Sequence, residues 1–190
     1  MAHIIRGSGL NGLTGMSVVQ SEYAIPVVRP LLDVTKENLL AYIGTKHISY
    51  CVDSTNEDVR YQRNRIRHRI IPELEAVNPA VVDAIVRLGS SVNEDVMVIS
   101  DLTSRTFDKL VSIGDDEVRI SRRALRQEPL AIQRRLWQRL VSTIDSDLTL
   151  TSAHQEQLLD IVNTGEKKTF TIKSIKVIAQ CDTIKVYCKH

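Results

Sequence analysis

A chain of 190 residues has room for one domain or two small ones, and a 43% hydrophobic share is enough for a packed core, which excludes an intrinsically disordered chain. Aromatic residues amount to only 4%, which weighs against an aromatic stacking platform for single-stranded nucleic acid. The net charge of +2, from 25 Lys+Arg against 23 Asp+Glu, says little about partners. No apolar run is long enough to span a membrane. The start, Met1-Ala2-His3-Ile4-Ile5-Arg6, lacks the apolar stretch of a signal peptide. Three scattered cysteines (Cys51, Cys181, Cys188) give no disulfide framework, so a reduced, cytoplasmic compartment is expected.

In chain order, residues 7–16 are rich in glycine, and 23–29 read as a short strand closed by Pro30. Thr35 can cap a helix through Leu39, Leu40 and Ile43. Residues 47–59 look irregular, with Asp53-Ser54-Thr55-Asn56 supplying turn and cap chemistry. A helix is predicted over 61–70, with Ile66, Ile70 and Leu74 in step and Pro72 breaking or kinking it near Ile71. Asn78-Pro79 reads as a helix start, cap followed by proline at the first helical position. Val81, Ile85, Leu88, Val92, Val96 and Ile99 then recur in steps of three and four, and the helix is expected to extend to Leu110. A short strand is expected at 117–120, then a helix at 129–144 burying Ile132, Leu136, Leu140 and Ile144. Ser152-Ala153-His154-Gln155 reads as a capping box for the next helix, stopped by Gly165. After it the period switches to two: Phe170 and Ile172, then Ile175, Val177 and Ala179, then Ile184, Val186 and Cys188, a small antiparallel sheet.

Charge is segregated along the chain. Between 59 and 72 stand five arginines (Arg60, Arg63, Arg65, Arg67, Arg69) and no acid. A second basic stretch over 121–139 holds Arg122, Arg123, Arg126, Arg134, Arg135 and Arg139 against Glu128, and from 166 onward six lysines face two acids. Such a pattern is the footprint of a polyanion binder, and equally of solvated helix faces. Gly7-x-Gly9-x-x-Gly12 matches a dinucleotide fingerprint in letters. It does not sit between a strand and a helix, as that motif must, so a loop allowing close backbone approach is the better reading. No closely paired Cys or His suits a metal, and no nucleophile motif is present. On a helix, Arg63 and Arg67 share one face, and Asn64 and His68 the next. Two guanidinium forks with amide and imidazole donors suit phosphate or carboxylate. Pairing of these arginines with Glu73 and Glu75 stays open as the alternative.

Read in order, the motifs resemble bacterial tRNA(Ile)-lysidine synthase. Arg6-Gly7-Ser8-Gly9-Leu10-Asn11-Gly12-Leu13-Thr14-Gly15-Met16 resembles the family's glycine-rich segment, and Val28-Arg29-Pro30-Leu31-Leu32 its next block. Asp53-Ser54-Thr55-Asn56, then Arg63-Asn64-Arg65-Ile66-Arg67-His68, Pro72 and Asn78-Pro79 resemble its signature beyond. The strong match covers residues 3–80. The resemblance implies an ATP-dependent ligase that adenylates C2 of the wobble cytidine in tRNA(Ile) with a CAU anticodon, after which the lysine amine displaces AMP. Decoding changes from AUG to AUA. The chemistry turns a carbonyl oxygen into a leaving group, with magnesium and cations neutralising the phosphates.

The same resemblance implies an α+β fold in pieces. Residues 1–33 would be the end of an ATP-pyrophosphatase-type α/β domain, 34–78 connecting helices, 79–165 a helical tRNA-binding domain and 166–190 an antiparallel β segment. The family opens with a Ser-Gly-Gly-x-Asp-Ser phosphate loop and later carries a His- and Asp-rich motif, neither of which occurs in this sequence. The chain is therefore expected to be the C-terminal part of the enzyme. By itself it is expected to be inactive, with no catalytic residue, no metal ligand and neither ATP nor Mg2+ held by this chain. By position, Arg6 would lie beside the nucleotide, and Arg63, Asn64, Arg67 and His68 between ATP and tRNA. Asp53 and Asn56 would shape the supporting loop, and Arg122, Arg123, Arg134 and Arg135 would face the tRNA. Leu10, Leu13, Val18 and Val19 would lack cover, leaving residues up to Ser21 mobile or buried against a second copy in a homodimer. The competing reading is a stand-alone RNA-binding or adaptor module without ATP chemistry.

Overall fold

The structure, a computed structural model, describes residues 1–190 apart from 8, 21–24, 52, 115–116, 165–166 and 189–190, and describes Ser54 and Cys188 by their backbone. The fold is α+β, and the chain divides into two compact units, Met1–Val96 and Met97–His190. Among the described residues, no helix is long and apolar enough to cross a membrane.

The Met1–Val96 unit begins with a single helical turn, α1 (Ala2–Ile5), and a 3-10 turn at Leu10–Gly12. Gly7 and Gly15 stand at φ +73 and +78, in the left-handed region that glycine enters without a Cβ clash. Helix precedes these glycines where a dinucleotide fingerprint needs a strand, so that motif is not formed. Strands β1 (Val19–Gln20) and β2 (Val27–Val28) pair antiparallel, Val19 opposite Val28. The strand expected at 23–29 is thus two residues long, and its Tyr23 and Ala24 lie outside the described residues. Helix α2 (Lys36–Lys46) starts as predicted, with the Thr35 hydroxyl accepting the Asn38 N–H at 3.2 Å.

Helix α3 (Gln62–Arg65) runs into a π-helical turn over Ile66–Ile70 and continues as α4 (Ile71–Val77). The break or kink expected near Ile71 takes the form of an interruption in the α-helical winding, not an end to the helix. The chain winds one wider turn, in which the Ile71 N–H reaches back to the Ile66 carbonyl, and proline falls at the start of α4 where its missing N–H does least harm. Helix α5 (Val81–Leu110) begins two residues after the expected Pro79, because the Asn78 side chain closes a turn by accepting from the Ala80 N–H at 3.0 Å. At Gly89 a Cβ would stand 3.2 Å from the Leu13 carbonyl oxygen, so glycine lets the 10–14 backbone rest on α5.

The Met97–His190 unit carries one five-stranded antiparallel sheet, order β3-β4-β7-β6-β5, made of β3 (Val111–Ile113), β4 (Val118–Ser121), β5 (Lys168–Ile172), β6 (Ile175–Gln180) and β7 (Thr183–Cys188). The three tail strands read from the period-two pattern are joined by β4, which pairs with β7. Cross-strand rows Val118–Val186–Val177 and Ile120–Ile184–Ala179 are buried throughout. Helices α6 (Arg122–Gln127), α7 (Leu130–Ile144) and α8 (Ser152–Asn163) contribute the other half of the same core through Leu125, Leu136, Trp137, Leu140, Leu158 and Val162. The capping box of α8 sits one residue earlier than predicted. Thr151 takes the His154 N–H at 3.2 Å while the His154 ring accepts the Thr151 N–H at 3.3 Å. α8 ends at Asn163, and the Gly165 expected to stop it lies outside the described residues.

Candidate functional site

A turn at 53–58 and the helix behind it form one hydrogen-bonded assembly. Asp53 caps the 3-10 turn Ser54–Glu57, its carboxylate accepting from the Thr55 N–H at 2.9 Å and the Thr55 hydroxyl at 2.8 Å. Those two donors hold the Asp53 carboxyl below its ordinary range, the hydroxyl contributing most. Asn64, 8% exposed, donates its amide hydrogens to the Thr55 carbonyl at 2.9 Å and the Asp58 carbonyl at 3.0 Å. His68 Nε2 lies 3.1 Å from the Asn56 carbonyl, which can only accept, so that nitrogen carries the proton in this contact. Asp58 in turn pairs with the Arg60 guanidinium at 2.7 Å.

Each row of residues spaced four apart on this helix therefore has a separate task. Asn64 and His68 face the turn, and their hydrogen bonds there tie the helix to it. Ile66 is buried and Ile70 half-buried. Arg63 and Arg67 are exposed, and among the described residues neither guanidinium has a hydrogen bond or ion pair; the alternative pairing with Glu73 or Glu75 is not formed. Arg65 and Arg69, equally without partners among the described residues, lie on the opposite side beside a groove with Ile5, Ile70 and Leu74.

The other residues singled out from the sequence divide in two. Arg6 is exposed at the end of α1, its Nε donating to the Ala2 carbonyl at 3.2 Å. Arg123 and Arg134 are exposed and without partners among the described residues, and Arg135 donates back to the Ala131 carbonyl at 3.1 Å. Arg122 is different. It is 1% exposed, and its guanidinium donates to the Ile161 carbonyl at 2.5 Å and the Val162 carbonyl at 3.4 Å, at the end of α8, and to the Cys181 carbonyl. A cation there satisfies helix-end carbonyls, and it presents no charge to an RNA. Among the described residues no three His, Cys, Asp or Glu come together to hold a metal ion.

Two features escape a reading of the sequence alone. Arg65 and Arg69 repeat the spacing of four seen in Arg63 and Arg67, yet only the structure sets them beside a groove. On the outer side of the sheet, the parity opposite to Val177 and Ile184 carries Lys176 and Lys185.

Residues 1–74 match the profile of the PP-loop domain. Against curated proteins, the chain is 42% identical over 117 residues to a tRNA(Ile)-lysidine synthase of Porphyromonas gingivalis, covering 62% of this chain and 25% of the relative. A tRNA(Ile)-lysidine synthase of Geobacter sulfurreducens is 29% identical over 161 residues, 84% of this chain and 34% of its own length. That of Caldanaerobacter subterraneus is 26% identical over 189 residues, 98% of this chain and 38% of the relative. That PP-loop match takes in the turn and the stretch of helix that carries Arg63 and Arg67. Most of the chain is thus similar to tRNA(Ile)-lysidine synthases, and it spans about a quarter to two-fifths of these relatives' length.

Proposed function

We propose that this chain serves lysidine formation on tRNA(Ile) with a CAU anticodon, as the part that holds phosphate and RNA beside the reaction. The whole reaction would consume ATP, with Mg2+, and join lysine to C2 of the wobble cytidine. The observation that carries this reading is the pair of exposed guanidiniums on Arg63 and Arg67, free of partners among the described residues, on a helix fixed by Asn64 and His68. A rigid support with two unneutralised forks suits a phosphate-rich substrate better than it suits stability alone. Arg6, Arg123, Arg134 and Arg135 are further candidates for phosphate contact, and the relatives' names favour the ligase over an adaptor module.

In this reading Asp53, Asn56, Asn64 and His68 do no chemistry. They hold the helix so that Arg63 and Arg67 meet developing phosphate charge without reorganising. Adenylation also needs donors around the triphosphate and carboxylates for metal in one geometry, and the phosphate loop and the acidic motif are not in this sequence. Incubated with ATP, magnesium, lysine and the tRNA, the chain alone should give no lysidine by mass spectrometry of the wobble nucleoside while still binding the tRNA. Replacing Arg63 and Arg67 with alanine should lower the log-log salt slope of that binding by about 0.7–0.9 for each phosphate that goes unpaired. An unchanged slope would remove the phosphate role, and lysidine above the no-enzyme control would overturn the inactivity of the chain alone.

A further inference from the structure

The solvent side of the sheet in the Met97–His190 unit carries a fixed excess of positive charge that the site above does not use. Along β4, β7 and β6 the residues alternating with the buried rows are Arg119, Lys185 and Lys176, with Tyr187 beside them. Arg119 stands directly opposite Lys185 on the neighbouring strand, and Lys176 directly opposite Tyr187. Like charges in facing positions oppose strand pairing, so this arrangement needs compensation. Glu117 supplies part of it, accepting from Arg119, from Lys185 Nζ at 3.3 Å and from the Tyr187 hydroxyl. One carboxylate thus serves two cations, and Lys176 has no hydrogen bond or ion pair among the described residues.

The three cations span two strand spacings, about 10 Å. Lys176 and Lys185 are half-buried, so their stems are held by the sheet. Around them the same face presents the hydroxyls of Ser121, Thr169, Thr171 and Thr183. Its one large aliphatic side chain, Ile178, is half-buried, which leaves little apolar area for a protein partner. Cations flanked by hydroxyl donors match phosphate oxygens and ribose 2′-hydroxyls.

We propose that this outer sheet face docks the sugar-phosphate backbone of RNA, through Lys176 and Lys185 with Arg119 in support. The inference rests on the reading that the chain handles tRNA, and adds a second contact surface remote in sequence from Arg63 and Arg67.

The full chain is titrated with an unmodified tRNA(Ile) transcript over a range of salt. Lys176→Gln with Lys185→Gln should lower the log-log slope by about 1.4–1.8, and Lys176→Arg with Lys185→Arg should restore it. Acylation of lysines in the unsubstituted chain, read by mass spectrometry, should show both residues protected by tRNA, a result that needs no variant to fold. Wild-type slope in the glutamine pair, or no protection, overturns the inference. If duplex DNA of equal charge binds with the same slope and protection, the face takes any phosphate backbone and the assignment to RNA is wrong. If poly-glutamate protects better than tRNA, the partner is an acidic protein. A lower slope in Arg63→Ala with Arg67→Ala but not in the sheet variant overturns this inference alone, and the reverse pattern removes the Arg63 and Arg67 contact while the sheet face stands.

Discussion

Asn64 shows how little of a side chain's task is written in its identity. Its two amide hydrogens meet two backbone carbonyls in a nearly closed setting, so no donor is left for a ligand. Asn64→Ala leaves the Thr55 and Asp58 carbonyls without this donor and should cost on the order of 1–2 kcal/mol in urea unfolding. Asn64→Asp should cost more, since a carboxylate would then face two carbonyl oxygens. If the aspartate variant is the more stable of the two, the clamp is misread. Glu117 gives a pH-dependent counterpart. The Tyr187 hydroxyl first, then Arg119 and Lys185, lower its carboxyl from 4.5 to about 2. Because the folded value lies below the unfolded one, its contribution is complete above pH 4.5 and is lost as pH falls toward 2. Glu117→Gln should therefore flatten the acid limb of the melting curve across that window. Equal limbs in variant and wild type would show that the cluster does not stabilise the fold.

At the scale of elements, α5 and the path of the glycine-rich segment are coupled through one missing side chain. Alanine for glycine inside a helix ordinarily adds about 0.5–1 kcal/mol. Gly44, in α2, has nothing within 4 Å of a built Cβ, so Gly44→Ala should show the full gain in melting temperature. Gly89→Ala puts its Cβ 3.2 Å from the Leu13 carbonyl and should gain nothing or lose. Equal gains at both positions would mean that the segment does not rest on α5. The elements legible in the sequence are those whose periodicity outlasts their ends: α5, α7 and the three tail strands. Helix starts slip by one or two residues where a neighbouring Asn78 or Thr151 makes the better cap. The π-helical turn is not legible, because the lost hydrogen bond and the ring clash that proline brings can be met by a wider turn as well as by a break. In the site, the positions of Arg63 and Arg67 on a shared exposed face are legible from spacing. The inward turn of Asn64, His68 and Arg122 is not, since a donor-rich side chain reads alike whether it meets a phosphate or a carbonyl across the fold.

For the molecule as a whole, apolar burial is uneven. The Met97–His190 unit gathers twenty buried apolar side chains, from Phe107 to Val186, into one cluster. In the Met1–Val96 unit Ile66 and Val92 are the buried apolar residues among those described, while Ile4, Ile5, Leu10, Met16, Val18, Val19 and Val28 stand exposed. Burial of apolar area is the main favourable term in folding, so local stability should follow the same division. Native-state amide exchange of a monomeric sample should find α7, α8, β4, β6 and β7 strongly protected and residues 9–20 exchanging fast. Contiguous exposed apolar residues also favour association. Raising the chain concentration should then slow exchange over 9–20, together with a larger hydrodynamic size, if a second copy covers that surface. Fast exchange that stays fast at every concentration would leave the segment uncovered and refute the homodimer. Slow exchange over 9–20 in a strictly monomeric sample would refute the division itself, because the exposed side chains of Leu10, Val18 and Val19 bury too little apolar area to protect those amides strongly.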